Sequence, residues 1–117
     1  MRYEDPLRRR SYDLAVNGLL FSIDFKKRSR EYDIGNQICR CSTAPGALIA
    51  EATDSESRAD MKHKFGIALK ECRELRYWLD ILVGSGLAEE AELLEIENLL
   101  NEVTAILVAS RKTLSSS

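Results

Sequence analysis

Side chains able to make or break bonds are few in this sequence. His63 is the only histidine among 117 residues, so a histidine-rich metal site is excluded. A histidine-based catalytic triad would need distant partners that no motif supplies. Cys39, Cys41 and Cys72 are an odd number of thiols, and Cys39 and Cys41 fall on different faces of a helix. That spacing is neither a disulfide framework nor a zinc pattern; it reads as small hydrophobes buried in a reducing compartment. Glu89, Glu90, Glu92, Glu95 and Glu97 form a dense row of carboxylates, but apolar residues interleave with them at helical spacing, which marks a wet helix face. Glu51 and Glu71 lie nearer apolar stripes, placed to meet Arg40 or Arg73 in a buried pair of structural rather than catalytic use. No phosphate-binding glycine loop and no nucleophile elbow occurs. Neither an enzyme, a cofactor nor a metal centre is expected.

What remains is electrostatic chemistry. Net charge is -2, which by itself makes no case for a polyanionic partner, yet the cations are clustered along the chain. Which of them share a surface depends on the elements that carry them.

Hydrophobic periodicity supplies four helices. Tyr12, Val16, Leu19 and Ile23 form one stripe, widened by Leu14, Phe21 and Phe25, so the first helix is apolar over much of its circumference. Ile34, Ile38, Cys41, Pro45, Leu48 and Ala52 keep the four-and-three spacing of a second. Met61, Phe65, Ala68, Cys72, Leu75, Leu79 and Leu82 form an unbroken heptad seam, which Leu93, Ile96, Leu100, Val103 and Leu107 repeat with Leu99 and Ile106 flanking. KKRSRE after Phe25, TDSES after Ala52 and GSG at 84–86 are the breaks between these runs.

Helices are therefore expected near 8–26, 31–52, 56–84 and 89–112. Asp54 or Ser55 is placed to cap the third, and Gly84 or Gly86 to end it. Glu89, Glu90 and Glu92 suit the positive end of the fourth helix dipole, and the closing SSS reads as a frayed tail. Connections this short make successive helices antiparallel neighbours. The fold class is all-α, an antiparallel up-down-up-down four-helix bundle. It forms a single domain over 1–117, with its core at about 7–112.

The second helix carries its own breaker, the Pro45–Gly46 pair in CRCSTAPGALIAEA. Proline removes a helical hydrogen bond and crowds the carbonyl four residues back, costing about 3 kcal/mol when uncompensated. Because the apolar spacing continues through Leu48 and Ala52, the expectation is a kink at Pro45 rather than a stop, with the Ser42 or Thr43 hydroxyl satisfying freed backbone groups.

In such a bundle the start of the first helix, the second turn and the end of the fourth helix share one end of the molecule. That end collects Arg8, Arg9, Arg10, Arg58, Lys62, Lys64, Arg111 and Lys112, diluted by Asp54, Glu56 and Asp60. These eight cations are the candidate nucleic-acid-binding residues, since local fields attract phosphate even where total charge is negative. The opposite end joins Lys26, Lys27, Arg28 and Arg30 to the acidic opening of the fourth helix. Trp78 and Ile81 stand off the main seam and the first helix is apolar on more than one face. The apolar strip this leaves marks an interface, so a homo-oligomer is expected.

APGALIAEA resembles the proline-containing second-helix segment of the four-helix-bundle proteins encoded by intervening sequences in 23S ribosomal RNA genes. SYDLAVNGLLF is similar to that family's first helix, and FGIALKECRELRYWLDIL followed by GSGL to its third and the turn after it. The resemblance runs over about residues 7–112. Departures include QICRCS, where only Arg40 stands in a segment that often has two basic residues, and Ala47 where asparagine is common. The resemblance implies a homo-oligomer, often a closed pentamer. One branch of the family, the accessory proteins of diversity-generating retroelements, implies RNA or DNA and a reverse transcriptase as partners. The alternative is an oligomeric protein-interaction scaffold without nucleic-acid contact. No segment reaches the roughly 18–20 uninterrupted apolar residues of a membrane span, and the charged MRYEDPLRRR start has no signal-peptide pattern; the expected location is the cytoplasm.

Overall fold

A computed structural model of the chain describes residues 4–116. Four α-helices account for it: α1 (Pro6–Ser29), α2 (Tyr32–Ala52), α3 (Arg58–Gly84) and α4 (Glu90–Ser115). No strand occurs among the described residues. Met1–Tyr3 and Ser117, which the expected 1–117 domain includes, lie outside the described residues.

The caps explain the boundaries. Asp5 accepts a hydrogen bond from the Arg8 backbone N–H at 3.0 Å, with Pro6 at the first helical position, so α1 starts slightly earlier than periodicity predicts. It runs on to Ser29 and stops at Arg30, whose φ of 61° is left-handed. The α3 cap is Ser57, which accepts from the Asp60 N–H at 3.0 Å. Asp54 and Ser55, the expected caps, are committed elsewhere, because their backbone N–H groups bond the carbonyls of Glu51 and Ala52 and finish α2. Glu89 and Glu92 close a reciprocal capping box at the start of α4. The expected frayed tail is shorter than SSS, since Ser115 is still helical.

α1 adjoins α2 and α4, and α3 adjoins the same two, so α1 and α3 are diagonal across the bundle. Directions follow from partners. Along α1, Ser11, Gly18 and Lys26 meet Gly46, Ser42 and Gly35 of α2 in falling order. Likewise Arg58 and Arg76 of α3 meet Thr113 and Asn101 of α4. The α3 and α4 heptads fill the centre as their spacing requires: Leu75, Leu79, Leu82, Leu93, Val103 and Leu107 are fully buried.

α1 is apolar on more than one face, as expected, and the structure shows which of those faces stays outside. Its stripe of Tyr12, Val16, Leu19 and Ile23 faces outward, joined by Leu20, which is 61% exposed. The face that enters the bundle is Leu7, Ser11, Leu14, Gly18, Ser22 and Phe25. Size selects it: a Cβ on Gly18 would lie 2.0 Å from Ser42 Oγ, so small residues let α1 and α2 approach closely.

The Pro45–Gly46 pair belongs to the same contact. α2 continues through Pro45, which is buried, and a Cβ on Gly46 would come within 3.3 Å of the Ser11 carbonyl oxygen. The hydroxyls do not act as expected. Ser42 donates to the carbonyls of Ile38 and Cys39, and Thr43 to those of Cys39 and Arg40, all ahead of the Cys41 carbonyl that Pro45 deprives of its helical donor. Trp78 also departs: its ring packs against the core and its Nε1–H donates to Glu74 at 3.2 Å. Tyr77 is the outward aromatic of α3.

Candidate nucleic-acid interface

The eight expected cations differ in their surroundings. Arg10 is ion-paired with Glu102 of α4. Lys64 pairs with Asp60 one turn earlier, at 3.3 Å. Arg58 donates through Nη2 to the Thr113 carbonyl at 3.1 Å, holding the starts of α3 and the end of α4 together. Arg8 lines a recess between α1 and α2 with Ser11, Thr43 and Gly46, while Arg9 is exposed.

The remaining three converge. Lys62, Arg111 and Lys112 line a groove between α3 and α4 of about 590 Å³. Its fourth cation is Arg73, which sequence reasoning assigned only to a possible ion pair. The signal was present: Lys62 and Arg73 are 11 residues apart, close to three helical turns, and so share a face. The Arg111 Nε–H reaches the Lys62 carbonyl at 3.4 Å, and its guanidinium passes over Gly66, where a Cβ would lie 3.3 Å from Nη2. Arg73 also lines a neighbouring recess with Arg76, Asn101 and Thr104, which extends the groove along the α3–α4 seam.

A second polar cluster bridges α2 and α3. Arg40 Nη1 donates to Glu71 at 2.6 Å, and its Nη2 bonds Glu74. Glu74 also accepts from the Cys41 thiol and the Trp78 indole, each at 3.2 Å. Those two donors, with Arg40, hold the Glu74 carboxyl below its usual range. Burial, reinforced by the Glu74 carboxylate, pushes the Cys41 thiol up to about 12. Cys41, Glu71 and Glu74 bring potential metal-ligand atoms within 4.8 Å of one another. The positive charge among them is Arg40, whose guanidinium already bonds both carboxylates, so the cluster reads as an interhelical latch. The expected Arg40–Glu71 meeting thus occurs, though with Arg40 well exposed rather than buried. Glu51 is exposed and does not join it.

The opposite end is latched too. Arg28 donates to Glu92 through both terminal guanidinium nitrogens, Nη1 and Nη2, at 2.8 and 3.0 Å. It also lies 5.8 Å from the ring centroids of Phe21 and Phe25. Of the thiols, Cys41 and Cys72 are buried and Cys39 only partly. His63 is exposed. No described helix is long and apolar enough to cross a membrane.

These features define an all-α bundle tied across its helices by side-chain ion pairs, carrying one cationic groove and an outward apolar stripe. The chain belongs to the 23S rRNA-intervening sequence protein family, whose model matches residues 7–109. It is similar to a crystallised protein of unknown function from the S23 ribosomal protein family of Bacteroides thetaiotaomicron VPI-5482. The two share 31% identity at a TM-score of 0.87, with the match covering 91% of this chain and 98% of the other. No curated protein matches the sequence significantly.

Proposed function

We propose that this protein is a non-enzymatic assembly module of the cytoplasm that forms a homo-oligomer, a closed pentamer by family resemblance, and in that form binds nucleic acid. The observation that carries assembly is the α1 stripe, in which Tyr12, Val16, Leu19, Leu20 and Ile23 are each at least 37% exposed. Side chains of that size along about three turns of one helix hold a contiguous apolar face in water unless another surface covers it. Nucleic-acid binding is supported by the unneutralised α3–α4 cations. A reverse transcriptase is the protein partner that the resemblance offers, and Tyr77, exposed on α3 and outside the α1 stripe, supplies apolar contact area for it.

Light scattering after size exclusion at micromolar concentration tests assembly. The parent should elute as an oligomer, and Leu20→Glu as a smaller species with unchanged helicity. A monomeric parent rejects the proposal. The scaffold alternative draws on a specific observation: Arg10, Arg58 and Lys64 are engaged within the protein. An assembled protein that fails to bind RNA or DNA at low salt would establish it.

A further inference from the structure

Most of the acids of α3 and α4 are committed to other cations. Asp60 is held by Lys64, Glu71 and Glu74 by Arg40, Glu97 by Arg76, and Glu102 by Arg10. Beyond Glu102, α4 has no acidic residue at all. Lys62, Arg73, Arg111 and Lys112 are left facing one groove with no carboxylate in its lining and no ion pair of their own among the described residues. A chain of net charge -2 thereby concentrates four positive charges over a floor of Leu69 and Val108. The α4 dipole accounts for Lys112, which sits in the last turn. It does not account for Lys62 or Arg73.

Resting on the nucleic-acid reading above, we infer that this groove seats the sugar-phosphate backbone of a single nucleic-acid strand. Three features choose the ligand. Lys62 and Arg73 are separated by three turns of α3, roughly 16 Å at 1.5 Å per residue, so the charges suit a row of phosphates better than one isolated phosphate. The cations line a recess between two helices, whose course a flexible single strand can follow more readily than a stiff duplex. No aromatic ring of the described residues lines the groove, so binding there is phosphate-driven and indifferent to sequence. Arg111, fixed by the Lys62 carbonyl and its course over Gly66, is held in place before the ligand arrives.

The test uses fluorescence anisotropy of labelled 12-nucleotide oligo(dT) and oligo(U), a 12-base-pair duplex, and competition by inorganic phosphate and ATP. Each phosphate contact on a single strand contributes about -0.7 to the slope of log K against log salt, so the parent should give about -3 and prefer single strands. Arg73→Gln/Lys112→Gln, both exposed positions, should halve that slope and weaken binding at least tenfold at low salt. Helicity and melting temperature should be unchanged, and Lys27→Gln/Arg30→Gln at the opposite end should bind like the parent. Parental slope and affinity in the double variant would overturn the groove while leaving nucleic-acid binding standing. A parent that binds no oligonucleotide would overturn both. Tighter binding of the duplex, or displacement by ATP or phosphate at equal phosphate concentration, would replace the strand by a duplex or by an isolated phosphate and so overturn the inference.

Discussion

Gly18→Ala is the sharpest probe of how α1 and α2 are joined. The added Cβ would lie 2.0 Å from Ser42 Oγ and 2.2 Å from Ser42 Cβ. Oγ can rotate, at the loss of its 2.7 Å bond to the Ile38 carbonyl, but Cβ moves only with the α2 backbone. Restoring an ordinary carbon–carbon contact of about 3.5 Å requires the helices to part by more than about 1 Å. Overpacking of this kind costs about 1–3 kcal/mol, and the shift loosens the packing of Leu14 and Ile38, both fully buried. Against this, alanine gains up to about 1 kcal/mol over glycine in a helix interior. An approach as close as 2.0–2.2 Å puts the cost in the upper part of that range, so the net expectation is a loss of about 1–2 kcal/mol, or roughly 4–8 °C in melting temperature at fixed protein concentration. Urea melts followed by circular dichroism measure it. Ser42→Gly in the Gly18→Ala background removes the clashing atoms, so the double-mutant cycle should show a favourable coupling of about 1 kcal/mol or more. A Gly18→Ala protein as stable as the parent, or more so, would refute the close-approach account of the small-residue face.

Three further outcomes are expected. Glu74→Ala leaves Arg40, the Cys41 thiol and the Trp78 indole without their shared acceptor, and should cost about 1–2 kcal/mol with a changed tryptophan emission, read by a urea melt on the fluorescence signal. In acid, Glu92, held low chiefly by the Arg28 hydrogen bonds, and Glu74 have depressed folded pKa values. Their stabilisation is therefore present above the unfolded glutamate value of about 4.3 and lost as pH falls through the folded values. Melting temperature should be level above about pH 5 and fall below 4.3, less steeply in Glu74→Gln/Glu92→Gln. In base, burial raises Cys41 to about 12 and Cys72 to about 11, so their contribution is lost as pH climbs past the unfolded cysteine value of about 8.5. With Ellman's reagent at pH 8, Cys39 should react first and the other two only with denaturant; three thiols reacting together would contradict their burial.

α3 and α4 were legible from sequence because each has one apolar seam and an opposite face of charge, so period and burial coincide. α1 was not, because it has two competing faces. Counting hydrophobicity selects Tyr12, Val16, Leu19 and Ile23, whereas packing selects Ser11, Gly18 and Ser22 by their size, and size complementarity to α2 has no signature within α1. The cationic end was legible only as composition. That Arg10 spends its charge on Glu102 depends on the rotation and register of two helices distant in sequence, and those are set by the core. Arg73 was overlooked for the opposite reason: it adjoins the α3 seam, where an arginine reads as a structural partner for glutamate, and nothing local reveals that Arg40 has already taken Glu71 and Glu74.

The two surface features proposed to carry function are compatible because of where the bundle puts them. α1 and α3 are diagonal, so the outward face of α1 points away from the outward face of α3. An assembly built through Tyr12, Val16, Leu19, Leu20 and Ile23 therefore leaves the Lys62–Arg73 side of every subunit open. Four phosphate contacts in one subunit give weak binding, but a closed ring repeats the groove in each copy, and a strand long enough to reach the next copy binds it at high effective concentration. The consequence is a length dependence that a monomer cannot show. Affinity for oligo(dT) should rise steeply once the strand spans two grooves, and Leu20→Glu should abolish that rise while leaving the affinity for a 12-nucleotide strand unchanged. A length dependence that survives in the dissociated variant would mean that the strand follows some other path across the protein.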